Sequence, residues 1–443
     1  MMKSRSSCLA LCFVLAALTL FVALPVRAGA LVIATVDSAH MRRLQTLSSE
    51  FEKANPEIRI RWVVLEESEL RRVASADVET RDGLFDVITI GIFKAPIWAA
   101  SGWIKPLRSP DDFDVDDLLP TVRKALSYQQ ELYAAPIYGE SSMLMYRKDL
   151  LKKAGLTMPD RPTWTEVAAF AAKLHDPANG VHGICLRGRP GWIENMALVS
   201  TMVNSFGGQW FDAGWRPQLD SLPWKKAVGL YAELLNRYGP PDAASLGYGE
   251  NLSLFASGRC AQWVGPTVAA EVLTNPESSA VAGEVGFAAA PYEVTAKGAQ
   301  WLWAWALAIP SSIDPVREAD ARKFIHWVAS RDYVELVAAR QGWRAVPTGT
   351  RRSTYARPEF QRKAPWAVHE LEAMLNADPE NATLPPSPYP GIQFAAIPEF
   401  ILIGDEVGNL IAEALAGRLS VEEALARGQD AAQRRMVRGG YPR

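Results

Sequence analysis

His369-Glu370 opens the His-Glu-x-x-His phrase in which two imidazoles one helical turn apart hold zinc and the carboxylate acts as base. Ala373 stands where the second imidazole belongs, so that site does not form. Asp112, Asp114 and Asp116 alternate as calcium-loop ligands do. Asp117 takes the place of the sharp glycine turn and no glutamate closes the ring, so a solvated acidic loop or helix start fits better. Gly247-Tyr248-Gly249 lacks the third glycine of a dinucleotide fingerprint, and neither a G-x-S-x-G nucleophile elbow nor a Walker A phosphate loop occurs. Glu66 and Glu67 are adjacent, so on any regular element they point apart and make a poor acid and nucleophile pair for glycoside cleavage. These patterns argue against an enzyme, a resident metal or a cofactor, and leave binding as the chemistry to explain.

The chain is rich in tryptophan, 15 in 443 residues. Large aromatics fill cores efficiently, and exported carbohydrate binders also use them as flat platforms. Export is expected here. Lys3 and Arg5 precede an apolar run from Cys8 to Leu24, followed by Val26-Arg27-Ala28 and Gly29-Ala30. Residues 1–28 read as a secretory signal peptide cut after Ala28 or Ala30, with the periplasm as destination. As a membrane anchor the run is short and is broken by Pro25 and Arg27, and no lipobox-like cysteine follows. Its removal takes Lys3, Arg5 and Arg27, leaving 44 of the 47 basic residues against 49 acidic ones, a formal net charge of −5. The remaining bases are scattered among acids, which excludes a phosphate-gripping stripe and so a nucleic-acid partner. Only Cys185 and Cys260 remain, and in an oxidising compartment they admit either a disulfide or two buried thiols.

About 415 residues exceed one ordinary core, so two domains are expected. Leu31 to Val36 is an apolar, β-branched run without a water-facing side, a buried parallel strand. Met41 to Asn55 carries Leu44, Leu47, Phe51 and Ala54 at helical spacing and stops before Pro56. A strand at 58–65, a helix at 67–80 and a strand at 85–90 continue the alternation, which implies a parallel α/β sheet. A less regular second α/β unit spans 141–285, with helices near 164–175, 192–206, 222–238 and 250–257. Residues 301–309 read as another strand and 315–329 as a helix. The tail from 394 to 436 reads as helical, split at Gly417-Arg418-Leu419-Ser420, with Ser420 and Glu423 forming a capping box.

The segment Tyr133-Ala-Ala-Pro-Ile-Tyr-Gly-Glu140, then YRKDLLKKAGL at 146–156 and PTWTEV at 162–167, resembles the family 1 extracellular solute-binding proteins of ABC importers. Gly183 to Gly188, Pro190 to Met196, Phe255 to Trp263, Trp301 to Pro310 and Gly342 to Arg351 resemble the subgroup that binds polyols such as mannitol, sorbitol or arabitol. The match covers nearly the whole mature chain. It implies a two-lobed, type II periplasmic-binding-protein fold, each lobe a mostly parallel sheet flanked by helices, with ligand in the cleft and closure by hinge motion. It assigns 29–137 and 301–349 to one lobe, 138–300 and 350–443 to the other. It also implies a monomer that captures a polyol or related sugar and presents it to permease subunits at the inner membrane. An exported carbohydrate-active enzyme and a chemosensory protein using the same cleft are the competing readings.

A polyol has C–H faces and many hydroxyls, so its site needs apolar platforms beside polar groups that replace lost water. Trp301, Trp303 and Trp305 alternate along a strand and share a face, whereas Trp192, Trp263 and Trp343 stand beside polar neighbours. Each is a candidate platform with core packing as the alternative, which weighs most for Trp305. Glu140 at the crossover is the expected acceptor of two adjacent hydroxyls and Arg187 the matching donor, with a structural salt bridge as the alternative. Asn195, Asp37 and Phe93 are further candidates on segments that follow strands, and a solvated loop explains Asp37 almost as well. The subgroup carries polar or acidic residues around positions 38, 94 and 265; this chain has Ser38, Lys94 and Gly265, which leaves the particular polyol open.

Overall fold

The computed structural model describes residues 29–107 and 114–441; the expected signal peptide and Asp112 lie outside them. The strands that build its two main sheets are β1 (Leu31–Val36), β2 (Ile60–Leu65), β3 (Val87–Gly91), β4 (Ala134–Glu140), β5 (Ser142–Arg147), β6 (Gln262–Pro266), β7 (Val285–Ala289) and β8 (Trp303–Ala308). The first sheet has the order β2-β1-β3-β8-β4 and the second β6-β5-β7. In β1 only Val32 is partly exposed, which explains a run with no polar face.

Helix α1 (Ala39–Ala54) starts where Ser38 Oγ accepts the Met41 amide at 3.3 Å. It stops at Asn55, whose side-chain amide donates to the Phe51 carbonyl at 2.8 Å, ahead of Pro56. Helix α2 (Glu67–Thr80) starts on Glu66, whose carboxylate accepts the Ser68 amide at 2.8 Å. Phe51 of α1 meets Phe324 of the helix Pro315–Ala329 at 5.3 Å, closing one face of the first sheet.

β1 is parallel to β2 and β3, and β8 runs antiparallel to both β3 and β4. In the second sheet β5 runs antiparallel to β6 and β7. The exceptions to the expected parallel order share one cause. β5 and β8 are each the first strand after the chain crosses between sheets, so they start at the junction and run away from it. The other strands of their sheets run towards it.

In the second lobe the helix Asn195–Ser205 is buried along its whole length, among helices Leu222–Tyr238, α4 (Phe400–Leu415) and their neighbours. Between them in the chain, α3 (Ala367–Asn376) packs on β5 and β7. The last helix, α5 (Val421–Arg438), begins with the expected capping box: Ser420 Oγ accepts the Glu423 amide at 3.1 Å and Glu423 accepts the Ser420 amide at 2.9 Å. Trp98, Trp164, Trp210, Trp224, Trp263 and Trp366 are fully buried, so much of the tryptophan excess is core. No helix among the described residues is long and apolar enough to cross a membrane.

Residues 182–185 lie parallel to β6, with His182 beside Cys260 and Cys185 beside Trp263. Cys185 and Cys260, 6.0 Å apart at Cα and 75 residues apart in the chain, form a disulfide. A closed loop of this length restricts the unfolded chain. Replacing both cysteines by alanine is expected to lower the unfolding free energy by about 2–4 kcal/mol. Denaturant titration of the double variant measures it, and an unchanged midpoint would contradict the assignment.

Candidate functional site

The cleft is built where the chain passes between sheets. β4 ends at Glu140, which pairs across the ladder with Trp303, while Tyr138 pairs with Trp305. Residues two apart on a strand share a face, so Trp303 and Trp305 stand side by side, ring centroids 5.7 Å apart and nearly perpendicular. Gly91 of β3 makes room for Trp303: a Cβ there would lie 2.3 Å from its ring.

Phe93, just beyond β3, meets Trp192 of the second lobe at 5.4 Å, and Trp192 meets Trp303 at 6.1 Å edge-on. Phe394 closes the group at 5.2 Å from Phe93 and 6.4 Å from Trp303. Into this group comes Arg71 of α2, its guanidinium 4.6 Å from Trp192, 5.7 Å from Trp303 and 5.8 Å from Trp305. Glu67, one turn earlier on α2, pairs with Arg71. Arg71 and Trp192 belong to opposite lobes, so this stack spans the cleft.

Beside the aromatic group lies a polar one. Arg187 donates to the Ile193 carbonyl at 3.0 Å, and its guanidinium faces Tyr248 and Trp301, each at 5.5 Å. Glu194 is 3.9 Å away. Arg187 Nε and Glu194 Oε2 are buried without a hydrogen-bond partner among the described residues. Burial pushes Glu140 up to about 8, with Arg187 opposing the shift and Glu370 and Glu67 adding to it. Burial also raises Glu194, against the pull of Arg187 and Arg189. A carboxyl held neutral can donate as well as accept, which suits a partner made of hydroxyls.

Behind this pair, His40 stacks on Tyr138 at 4.2 Å and meets Arg43 at 3.0 Å through Nδ1. Guanidinium only donates, so Nδ1 accepts and the ring carries its proton on Nε2. Burial, then Arg43, lowers the His40 pKa to about 3, so the ring is neutral at ordinary pH. Arg43 of α1 also reaches Glu271 of the second lobe at 2.6 Å, with side chains 8% and 23% exposed.

Six of the residues expected at a ligand therefore come together: Phe93, Glu140, Arg187, Trp192, Trp301 and Trp303. Four others do not join them. Trp263 is fully buried behind Tyr248 and Phe255, at 6.1 and 6.3 Å, and supports the site from beneath. Asn195 is fully buried, its amide accepting from the Gly191 N–H at 3.2 Å and donating to the Gly408 carbonyl at 2.8 Å, so it fixes the Trp192 loop to α4. Asp37 is 60% exposed and pairs with Arg42. Trp343 lies half-buried on the 3₁₀ turn Trp343–Ala345, with Arg357 6.0 Å over its ring. Trp305, for which core packing weighed most, is buried in the core and has Arg71 5.8 Å from its ring.

Of the three specificity positions, Ser38 caps α1 through its Oγ. Lys94 donates to Ser75 at 2.8 Å, and its pKa falls to about 8 through burial and then Arg71. Gly265 admits the Trp263 ring, which a Cβ would meet at 2.6 Å. Sequence reasoning missed Glu67, Arg71, Glu194, Tyr248 and Phe394. Glu67 and Arg71 carried a usable signal: an i,i+4 pair in the first turns of a helix that follows a strand, on the cleft side of the sheet.

Residues 38–335 match the bacterial extracellular solute-binding protein family. A mannitol-binding protein of Pseudomonas aeruginosa is 50% identical over 418 residues, 94% of this chain and 95% of that protein. A solute-binding protein of Agrobacterium vitis solved with bound D-mannitol superposes with a TM-score of 0.90 at 48% identity, covering 94% of this chain and all of that one. One of Agrobacterium radiobacter solved with ribitol gives 0.81 at 26% identity, covering 91% and 98%. With its two α/β lobes facing an aromatic cleft, the chain belongs to the bacterial extracellular solute-binding proteins.

Proposed function

We propose that this protein captures a linear sugar alcohol of the mannitol kind in the periplasm and hands it to the permease of an ABC importer. The observation that carries the reading is the juxtaposition of aromatic edges and faces on Trp192, Trp303 and Phe394 with the unpartnered polar atoms of Arg187 and Glu194. Carbon-bound hydrogens of a polyol pack on the first set, and its hydroxyls complete the second. Arg71, the cation nearest the rings, is already paired with Glu67. Arg187 stands beside Glu140 and Glu194, which burial holds towards their protonated forms, so this wall offers donors and acceptors that suit hydroxyls. The likeness to proteins named for mannitol and solved with mannitol or ribitol supports the same class.

The cycle needs no bond chemistry. Ligand bridges the lobes, favours the closed form by its extra contacts there, and that form meets the permease. We assign 29–137 with 301–349 to one lobe and 138–300 with 350–443 to the other, and infer a monomer exported by its amino-terminal signal.

Mannitol, sorbitol, arabitol and ribitol are to be compared with glycerol 3-phosphate and amino acids by thermal shift. A polyol at a hundred times its Kd adds about 2.7 kcal/mol of stability; stabilisation by the charged solutes alone would refute the reading. Trp303→Ala is expected to cost about 2 kcal/mol of binding, roughly 30-fold in Kd by calorimetry.

Glu140 supplies a pH signature. Its folded pKa of about 8 exceeds the ordinary 4.5, so folding takes up a proton between those values. Its contribution is most favourable below pH 4.5 and falls as the pH rises towards 8. Glu140→Gln removes that dependence: the unliganded variant gains melting temperature over the parent at pH 8 and little at pH 4. An equal shift at both pH values would show that folding does not raise the Glu140 pKa.

A further inference from the structure

Three chain crossings join the lobes, near Ser141, near Trp301 and near Gly349, and they touch one another. The Gly139 amide donates to the Thr348 carbonyl at 2.8 Å. Gly139 and Gly349 pass so closely that a Cβ on Gly139 would lie 2.4 Å from the Gly349 oxygen. Ser141 Oγ donates to the Trp301 carbonyl at 2.7 Å, and Ser142 Oγ accepts the Trp301 amide at 3.2 Å.

Beneath this junction lies Glu370 of α3, fully buried and so far met only as a neighbour that adds to the upward shift of Glu140. One of its oxygens accepts the Thr267 hydroxyl, which itself accepts the Ser141 amide at 3.2 Å. Its other oxygen accepts the Tyr355 hydroxyl at 2.5 Å, which itself accepts the Gly349 amide at 2.8 Å. Each hydroxyl accepts from a crossing and donates to the carboxylate, so the two chains polarise in one direction and end on a single group. That group sits on a helix packed against β5 and β7, which makes the second lobe the reference to which the crossings are tied.

Glu140 and Trp301, both at the proposed ligand, are part of or next to the tied segments. We propose that Glu370 is a positioning residue for ligand capture: it binds the crossings into one unit and sets the angle at which Glu140 and Trp301 meet the solute. The proposal rests on the cleft being the ligand site. An amide at 370 has only one accepting end, so Glu370→Gln leaves one hydroxyl without its acceptor. Tyr355→Phe and Thr267→Val each remove one arm at nearly constant shape, and Thr267→Ser keeps the hydroxyl.

The test pairs calorimetric Kd for mannitol with lobe-to-lobe energy transfer between dyes at Lys53→Cys and Lys225→Cys, both exposed positions on opposite lobes. Glu370→Gln, Tyr355→Phe and Thr267→Val are expected to weaken binding about tenfold and to broaden the distance distribution. Glu370→Gln combined with Tyr355→Phe should lose little more than either, because both act on one network. Thr267→Ser should keep parental affinity. A fall in melting temperature with Kd within about twofold of the parent and an unchanged distance distribution would reduce Glu370 to a core residue and overturn the proposal. If the parent binds no polyol, the functional reading fails, and the unliganded distance distributions alone decide for or against the hinge role.

Discussion

Three segments of backbone have to run between two bodies, each carrying amide groups into a place with little access to water. That requirement orders much of what surrounds it. A buried amide without a partner costs about 1–3 kcal/mol, so the junction must supply acceptors. It does so with the Ser142, Thr267 and Tyr355 hydroxyls, the last two donating in turn to one carboxylate. The same crossings fix strand direction, since β5 and β8 can only run away from the junction, and they place Glu140 and Trp301 at the point where the lobes meet.

The cleft shows a second balance. Cations are set against π faces and each has a carboxylate within reach, as with Arg71 and Glu67. Burial holds Glu140 and Glu194 towards their protonated forms, so the polar wall carries less charge than its composition suggests. Under the proposed function, such a wall discriminates by directional hydrogen bonds. It can tell one hydroxyl pattern from another because a polar group left unmatched is costly.

Periodicity made several helices of both lobes readable. The helices at 67–80, 222–238 and 315–329 match the observed spans, since each has an unambiguous stop or start such as Pro315 or Gly239. The antiparallel sense of β5 and β8 was not legible, because strand direction is a property of the crossing and leaves no local pattern. In the site, residue type singled out Glu140, Arg187 and the Trp301 and Trp303 alternation, which the fold brings together. It could not separate Trp263 or Asn195 from them, for burial and backbone bonding are decided by what packs on the segment. Arg71 escaped notice because an ion pair on an amphipathic helix looks the same whether it faces solvent or three indoles.

The pair of Arg43 and Glu271 joins the lobes on the other side of Tyr138. Swung fully apart, both groups recover their hydration; brought together, they satisfy each other. At partial apertures the guanidinium and carboxylate are stripped of some water yet too distant to bond, and desolvation is then uncompensated. A clasp of this kind adds little net preference for either extreme, but it makes halfway angles unfavourable. In the proposed cycle of opening and closing, such a pair favours switch-like behaviour, shut or agape with few poses in between.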